Sequence, residues 1–514
     1  MEDDDGDYGT FVDGTGDHKP CSTGVNSALP GSNRKWLMLA ILSVLSGVNQ
    51  GVCYSYAPIA TIAETRWKQH IHSTELITMF FISYLPCSFI GSWLMDKKGL
   101  RYGVLLGAFL QALGASLRYA ATFFSAEYEA RVTLLGQIIA SIAMPFMVNS
   151  PPVLSANWFP PSLRATSTSI AVNTNAIGTA LVYLTAPFIV QTQQDLPTWN
   201  LCVAVAAVLS WAFAHFFFRS FPRSSSRFED ESIASDVHLQ EEYDWQQWWN
   251  AFSHKGFWST VLAFSVAECV VNAISALLGK FLRAEGYSKP EVGMIGAAFI
   301  ASTLLGGHVI SQYVDKKRKH TEAMRCCLLL TAVFMAAFKL TLSVNGVLMF
   351  ASLMMLGASL GPLQPVALEL GVECAFPTSE ATVAALQQLC GNMLSAVLVP
   401  GLSLLRRAHA DATGHVPTKF FYASPEWVMA IVMALTFVAF CFYNGEYKRF
   451  DHESRFSRFL PSQALLLTNN KPSVATKTPS YLTLTVKKTE DIDIVDQSNS
   501  DGVLRYPAPV VKFQ

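Results

Sequence analysis

Twelve apolar stretches, each long enough to cross a lipid bilayer, dominate this chain of 514 residues. A hydrocarbon core about 30 Å thick needs roughly 20 apolar residues in a helix, and only helices or closed barrels satisfy their backbone polar groups in lipid. The sequence therefore predicts an all-α polytopic membrane protein. Its twelve helices are predicted at residues 36–62, 74–95, 102–121, 132–149, 166–190, 199–218, 257–282, 291–313, 323–343, 345–369, 381–404 and 425–443.

The composition agrees with a membrane protein, because 51% of the residues are hydrophobic and only 15% are charged. Soluble proteins carry about a quarter charged residues. The net charge of -1 gives no support for a nucleic-acid partner, which would require a basic surface. We therefore expect the lipid bilayer and a small-molecule solute as partners of a monomeric protein.

The longest internal polar segment, Arg219 to His254, divides the helices six and six. Basic residues cluster in this segment and after the second and eighth helices, so the positive-inside rule places these loops and both termini in the cytosol. Arg406, Arg407 and Lys419 are exceptions, since they fall on the predicted outside. The predicted organisation is a disordered cytosolic N-terminus (1–35), an N-terminal six-helix bundle (36–218), a cytosolic loop (219–256), a C-terminal six-helix bundle (257–443) and a mostly disordered cytosolic tail (444–514).

The two halves of the chain resemble each other. A Phe-Pro turn with a charged residue and then Ala-Thr opens the next helix at 159–166 and again at 376–382, and Asp-Lys-Lys occurs at 96–98 and 315–317. Matches at equivalent places indicate a duplicated unit, which is typical of alternating-access transporters. We expect two pseudo-symmetric six-helix bundles.

The segment 92–101 after the second helix, Ser-Trp-Leu-Met-Asp-Lys-Lys-Gly-Leu-Arg, resembles the loop signature of the major facilitator superfamily. A carboxylate at a helix end beside basic residues can lock neighbouring helices together. We predict gating roles for Asp96 and Arg101, and for Asp315 as the counterpart in the second half. The alternative is that these charges only set the membrane topology.

The seventh helix carries the most informative polar face. Ser265, Glu268, Asn272 and Ser275 are spaced so that they share one side of a helix. A carboxylate midway along an apolar span is expensive and usually faces a partner or a water-filled cavity. Glu268 could bind a cationic solute or exchange a proton, and a structural hydrogen bond to a neighbouring helix is the alternative.

Similar polar stripes occur on three other helices. The first carries Ser46, Gln50 and Cys53, the fifth Thr166, Ser169 and Asn173, and the eleventh Gln388, Asn392 and Ser395. Any one stripe could equally stabilise helix packing in lipid. Their convergence with Glu268 favours a polar central cavity, in which Glu268, Asn272, Asn392, Gln388 and Gln50 are expected to contact the solute.

Further motifs carry a family resemblance. They include Gly114-x-x-Leu117-Arg118, Trp158-Phe159, Ala273 to Leu278 and, most specifically, the block from Glu369 to Pro377, Glu-Leu-Gly-Val-Glu-Cys-Ala-Phe-Pro. They resemble the feline leukaemia virus subgroup C receptor-related transporters, solute carrier family 49, with the A3 branch closest. The resemblance implies a major facilitator fold and, as solutes known for the family, choline, ethanolamine, haem or a B6 vitamer.

In the choline carriers of that family, a Trp, a Tyr and two glutamines surround the quaternary ammonium, a cation–π arrangement. The resemblance places Cys53, Asn272, Met144 and Asn392 at these four positions, which argues against choline. Tyr54 is close enough in sequence to rebuild part of a cage, and Glu268 could instead supply electrostatic attraction.

The function predicted from the sequence is a solute transporter that works by alternating access, in the plasma membrane rather than the lysosome. A non-transporting membrane receptor or scaffold is the alternative. A membrane-embedded enzyme would need paired catalytic groups, and the sequence has no HExxH, GxSxG or Walker motif. We expect no catalytic residues, no metal site and no cofactor.

Overall fold

The structure, a computed structural model, describes residues 32–159, 161–221, 250–317, 319–378, 380–412 and 424–449. Within these residues, helices and short connections form the whole fold. The first half contains α1 (Ser32–Tyr54), α2 (Ala60–Arg66), α3 (Ser73–Lys98), α4 (Leu100–Ala121), α5 (Ala126–Ile142), α6 (Met144–Val148), α7 (Ser150–Trp158), α8 (Pro161–Ile189) and α9 (Leu196–Phe217). The second half contains α10 (Phe257–Ala284), α11 (Lys289–Lys317), α12 (His320–Thr341), α13 (Gly346–Leu360), α14 (Leu363–Ala375), α15 (Glu380–Ala412) and α16 (Pro425–Cys441).

Ten helical segments of the described chain are long and apolar enough to cross a membrane, and the apolar helix α16 is slightly shorter. Each predicted span overlaps an observed helix or a pair of them. The predicted all-α fold is therefore confirmed. The predicted division into domains stays a prediction, because the termini and residues 222–249 of the central loop lie outside the described residues.

Three spans that the sequence predicted as single continuous helices are interrupted in the structure. The first helix starts at Ser32 and ends at Tyr54, and a turn leads into the short α2. Pro58 lies in this turn, and the residue before a proline disfavours helical geometry. The fourth span is interrupted around Ala143 and Asn149, and the tenth around Gly361 and Pro362. Prolines at or just after these breaks cannot donate the backbone hydrogen bond that a continuous helix requires.

Helix packing repeats between the halves. In the first half α1 packs on α8, and α4 on α5 and α9; in the second half α10 packs on α15, and α12 on α13 and α16. The halves meet along α3 with α15 and α8 with α11. The equivalent pairs agree with the pseudo-symmetry predicted from the repeated motifs.

Small residues allow some of these helices to touch. A Cβ atom on Gly178 of α8 would lie only 2.0 Å from the carbonyl oxygen of Gly47 on α1. Such close approach of backbones is typical of membrane helix pairs. The first and fifth spans are thereby held together inside the first half.

Two faces of the molecule are named by their residues. The outer face carries the connection from Arg66 to Ser73, and the inner face carries Gly99 between α3 and α4. The charge pattern predicts that the inner face is cytosolic. Helix α10 runs between the faces and is the most buried of the spans, so its polar residues lie deep inside the protein.

Candidate functional site

The site is built around the polar face of α10. Ser265, Glu268, Asn272 and Ser275 are all buried, as their spacing on one helix face predicts. Glu268 accepts a hydrogen bond of 2.5 Å on Oε1 from Nε2 of Gln388. The amide of Asn392 lies 3.4 Å from the same oxygen. Two helices distant in sequence, α10 and α15, therefore bring three of the predicted solute contacts together.

The second carboxylate oxygen of Glu268 points into the contact between α10 and α15. It has no hydrogen-bond partner among the described residues, and neither does Oδ1 of Asn392. A Cβ atom on Gly391 would lie 1.9 Å from this oxygen, so the absence of a side chain at Gly391 makes room for the carboxyl group. Glu268 is only 6% exposed. In this conformation it is covered by α15, whereas the sequence predicted that it faces a polar central cavity.

A second chain of polar contacts crosses from the first half to the second. The hydroxyl of Tyr54 donates to Oδ1 of Asn272 at 2.9 Å, and Nδ2 of Asn272 donates to Oγ of Ser395 at 3.1 Å. Nearby, the hydroxyl of Tyr183 donates to the carbonyl oxygen of Ser275 at 2.6 Å. These neutral hydrogen bonds join α1 and α8 to α10 in the middle of the protein.

The other predicted solute contacts, Cys53, Met144 and Gln50, lie in the first half of the chain, away from Glu268 in the described hydrogen-bond network. Cys53 and Met144 are buried in the same apolar cluster as Tyr54. Met144 lies where the fourth span is interrupted. Gln50 is half-buried, one turn before Tyr54 on α1. The described hydrogen bonds connect none of these three to Glu268.

Polar side chains are exposed toward the inner face, although the spans that carry them are apolar. Ser169 and Asn173 of α8 are exposed and Gln388 of α15 is half-buried. The amide of Asn173 donates to Ser169 at 3.3 Å. Exposed amides suit contact with water better than contact with lipid. The predicted stripe of the fifth helix is thus exposed, whereas Asn392 and Ser395 of the eleventh-helix stripe are buried at the centre.

Of the three predicted gating residues, the structure describes only the side chain of Arg101. Arg101 is exposed, and its guanidinium donates to the carbonyl oxygen of His215 at 3.1 Å. Its backbone N–H donates to Oγ of Ser220 at 2.9 Å. Both partners belong to the first half. The side chains of Asp96 and Asp315 lie outside the described part of the structure, so the gating role of all three stays a prediction.

A charged cluster at the outer face was missed by sequence reasoning. Nζ of Lys280 on α10 lies 2.6 Å from Oε1 of Glu64 on α2. The same oxygen accepts hydrogen bonds from the backbone N–H and the hydroxyl of Ser73, at 2.9 and 2.8 Å. His72 Nδ1 lies 3.2 Å from Oε2 of Glu64. A buried carboxylate of the first half is thus paired with a cation of the second half.

Two of the three basic residues that contradicted the charge rule, Arg406 and Arg407, belong to this outer cluster, whereas Lys419 lies outside the described residues. Arg406 donates to the carbonyl oxygen of Lys280, and Arg407 lies 3.7 Å from Glu75 of α3. Thr74 and Ser403 share a hydrogen bond of 3.0 Å beside them. The excess of Arg on the predicted outside was the sequence signal for this cluster, because cations placed against the topology rule need a structural reason.

Comparisons with known proteins agree with this architecture. A profile of the Major Facilitator Superfamily matches residues 39–400, and the chain therefore belongs to that superfamily. It is a multi-pass membrane transporter of the major facilitator fold. Its fold is similar to that of the D-xylose-proton symporter, with a TM-score of 0.62 and 14% identity over 80% of this chain and 99% of the symporter.

Relatives of higher sequence identity include members of solute carrier family 49, which confirms the resemblance to that family. Solute carrier family 49 member A3 of Danio rerio is 29% identical over 82% of this chain and 90% of the relative. The protein of the same name from Xenopus tropicalis is 26% identical over 82% and 90%. The choline/ethanolamine transporter FLVCR1 of Felis catus is 24% identical over 75% and 70%.

Proposed function

We propose that this protein carries a small organic solute across the membrane by alternating access, with a central site formed by α1, α10 and α15. The observation that carries the proposal is Glu268, a buried carboxylate with one oxygen free of described partners, held by amides of a neighbouring helix. A carboxylate kept at this depth is expensive and usually serves a substrate or ion pathway.

The contacts between the two halves support a carrier with its outer side closed. Glu64 with Lys280 and Glu75 with Arg407 join the halves at the outer face. Tyr54 with Asn272 joins them at the centre. Exposed amides on α8 lead from there toward the inner face. This arrangement suits a state in which solute exchanges with the inner side.

The chemistry of the site favours a small cation that can donate hydrogen bonds. Glu268 has a carboxyl oxygen and Asn392 an amide oxygen without a described partner, and both can accept hydrogen bonds from such a cation. The family resemblance places Cys53, Asn272, Met144 and Asn392 at the four positions where the choline carriers hold their cage. A quaternary ammonium has no N–H to offer these acceptors, so an ethanolamine-like primary ammonium fits the site better than choline. The sequence similarity to a relative named as a choline/ethanolamine transporter supports the same solute class.

The rest of the proposal follows the charge pattern. We place the protein in the plasma membrane with both termini in the cytosol, as a monomer. A receptor that does not transport would display a large folded surface outside. The described outer connections of the first half, such as residues 122–125 and 190–195, are short.

Uptake by the purified protein in liposomes tests the proposal. Labelled ethanolamine, choline, haem and a B6 vitamer are offered to the wild type and to Glu268→Gln. We expect ethanolamine uptake above that of empty liposomes, and a loss of about tenfold or more in the variant because the charge is removed. The control is Glu127→Gln, which alters an exposed carboxylate paired with Arg131 at the outer face.

Two results would contradict the proposal. If liposomes containing the wild-type protein accumulate none of the four solutes, this would argue against a carrier of this class. Full uptake by a well-folded Glu268→Gln protein would remove Glu268 from the site, even if transport itself were observed.

A further inference from the structure

A second buried charge lies near the site and has no role in the proposed binding. Arg118, in the last turn of α4, is 1% exposed. Among the described residues, no carboxylate lies within ion-pair distance of its guanidinium. A charged side chain at such a position in a membrane protein is expensive unless backbone carbonyls or polar groups surround it. Its partners therefore indicate what it does.

The guanidinium binds the broken end of α1. Nη1 of Arg118 donates to the carbonyl oxygen of Val52 at 3.0 Å, and Nη2 donates to Oγ of Ser55 at 2.5 Å. Nε donates to the hydroxyl of Tyr56 at 3.2 Å, and the guanidinium carbon lies 4.4 Å from the centre of the Tyr56 ring. Three partners thus come from the five residues in which α1 ends and turns.

Other groups hold Arg118 in this position. Oε1 of Gln137 on α5 accepts from Nη1 at 2.9 Å. The Tyr56 hydroxyl donates onward to Asn200 of α9 at 2.8 Å, and Asn200 donates back to the carbonyl oxygen of Arg118 at 3.3 Å. Gly136 makes room for the side chain, because a Cβ atom there would lie 3.0 Å from Cγ of Arg118. The cation is therefore fixed from α4, α5 and α9 together.

Physical chemistry explains why a cation suits this place. The last carbonyl groups of a helix lack intrahelical donors, and the helix dipole favours positive charge at that end. α1 ends at Tyr54, inside the protein and not at its surface. Water therefore does not reach these carbonyl groups, and Arg118 takes its place as a hydrogen-bond donor, as it does to Val52.

We propose that Arg118 is a positioning residue that fixes the last turn of α1, and with it Tyr54, against Asn272 of the second half. Tyr54 lies between Val52 and Ser55 in the chain, and Arg118 donates hydrogen bonds to both of these residues. The hydroxyl of Tyr54 itself donates to Asn272. The same turn continues into α2, which carries Glu64 of the outer cluster. Arg118 thus holds the segment that connects the central site to the outer face. The purpose of this positioning rests on the proposed function, whereas the positioning itself can be measured without a transported solute.

Cys53 is a reporter inside the positioned turn. It is 2% exposed and lies between Val52 and Tyr54. In a variant that retains Cys53 as its single cysteine, we measure the rate of labelling by N-ethylmaleimide in detergent-solubilised full-length protein. Arg118→Gln is expected to raise this rate about tenfold, since losing charge-assisted hydrogen bonds favours local opening of the turn. Arg118→Lys keeps the charge and should give a smaller increase.

Controls distinguish positioning from general loss of stability. Cys327, buried in the second half, serves as the single cysteine in a parallel series, and its labelling rate should stay unchanged in Arg118→Gln. Ser116→Ala changes another residue of α4, whose hydroxyl bonds only to its own helix at Ala112 in the described structure. It should leave both rates unchanged.

A milder variant keeps the test decisive if Arg118→Gln does not fold. Tyr56→Phe keeps the ring and removes the hydroxyl that links Arg118 to Asn200, and it should raise Cys53 labelling in the same direction by a smaller factor. Unchanged Cys53 labelling in the folded Arg118 and Tyr56 variants would overturn the proposal. An equal rise at Cys53 and Cys327 would overturn it as well, because it would show a general structural role. Neither result depends on whether ethanolamine is transported.

Discussion

The outer and inner ends of the interface between the two halves are built differently. At the outer end, Glu64 with Lys280 and Glu75 with Arg407 pair opposite charges across the halves. Toward the inner end, Ser169 and Asn173 present uncharged polar groups that are exposed. A closed end needs strong contacts that can be exchanged for water, whereas an open end needs surfaces that water already covers. The difference supports our proposal that the outer end is the one that separates during transport.

Among the changes considered, reversing the charge of Lys280 should have the largest effect on uptake and on closure of the outer end. Lys280→Glu places a second carboxylate beside buried Glu64, and an uncompensated buried charge costs about 3–5 kcal/mol. We expect the outer end to open and uptake to fall by more than about a hundredfold. The measurements are liposome uptake and labelling of Thr74→Cys, in a background without other cysteines, by a membrane-impermeant thiol reagent.

The matched control is the double variant Glu64→Lys with Lys280→Glu, which restores opposite charges. Part of the uptake and of the protection at position 74 should return. A double variant as defective as Lys280→Glu alone would show that the pair does not close the outer end.

The contact between Glu268 and α15 provides the second prediction. In Gly391→Ala the new Cβ atom would lie 1.9 Å from Oε2 of Glu268, so the carboxyl group must move. Overpacking of this kind costs about 1–3 kcal/mol, and we expect uptake to fall by roughly tenfold. Gly401→Ala is the matched control on the same helix, because a Cβ atom there meets nothing within 4 Å. Equal uptake by the two variants would contradict the placement of Glu268.

A smaller effect is expected at the centre of the interface. Tyr54→Phe removes the hydroxyl that donates to Asn272 and leaves the ring in place. Because a neutral hydrogen bond contributes about 1 kcal/mol, uptake should fall by roughly threefold to tenfold. Asn272→Ala, which also removes the bond to Ser395, should have the larger effect of the two. An unchanged KM and maximal rate in Tyr54→Phe would exclude this hydroxyl from the transport cycle.

The smallest effect near neutral pH concerns protonation of Glu64. Burial opposes ionisation of this carboxyl group, but the Lys280 ammonium and the Ser73 backbone N–H and hydroxyl outweigh burial, so the pKa of Glu64 is lowered. A lowered pKa in the closed state means that ionised Glu64 stabilises closure fully above the ordinary glutamate pKa of about 4.3. That stabilisation is lost as the pH falls through the lowered value.

Labelling at Thr74→Cys should therefore stay constant from neutral to mildly acidic pH and increase only in stronger acid. The labelling is measured with a reagent whose own rate is calibrated at each pH on a free thiol. Glu64→Gln is the control, in which the increase at low pH should disappear. An increase already at mildly acidic pH would contradict the assignment of the effect to Glu64.

Much of the fold followed from local features of the sequence. The apolar lengths predicted where spans occur, and the spacing of Ser265, Glu268 and Asn272 predicted a shared buried face. The break at Pro58 was missed, because the apolar stretch around it has the same appearance whether its helix continues or turns. Arg118 was noticed only as part of a motif, because sequence alone does not show which carbonyl groups end inside the protein.

The amino-acid sequence by itself determined a helical membrane protein with two related halves, because bilayer thickness and backbone hydrogen bonding act within each segment. Only the tertiary structure decided which polar groups meet. Tyr54 and Asn272 are 218 residues apart in the chain, and Glu64 reaches Lys280 only after the two halves pack together. Such pairings depend on distances between helices, and the pattern along one helix does not contain them.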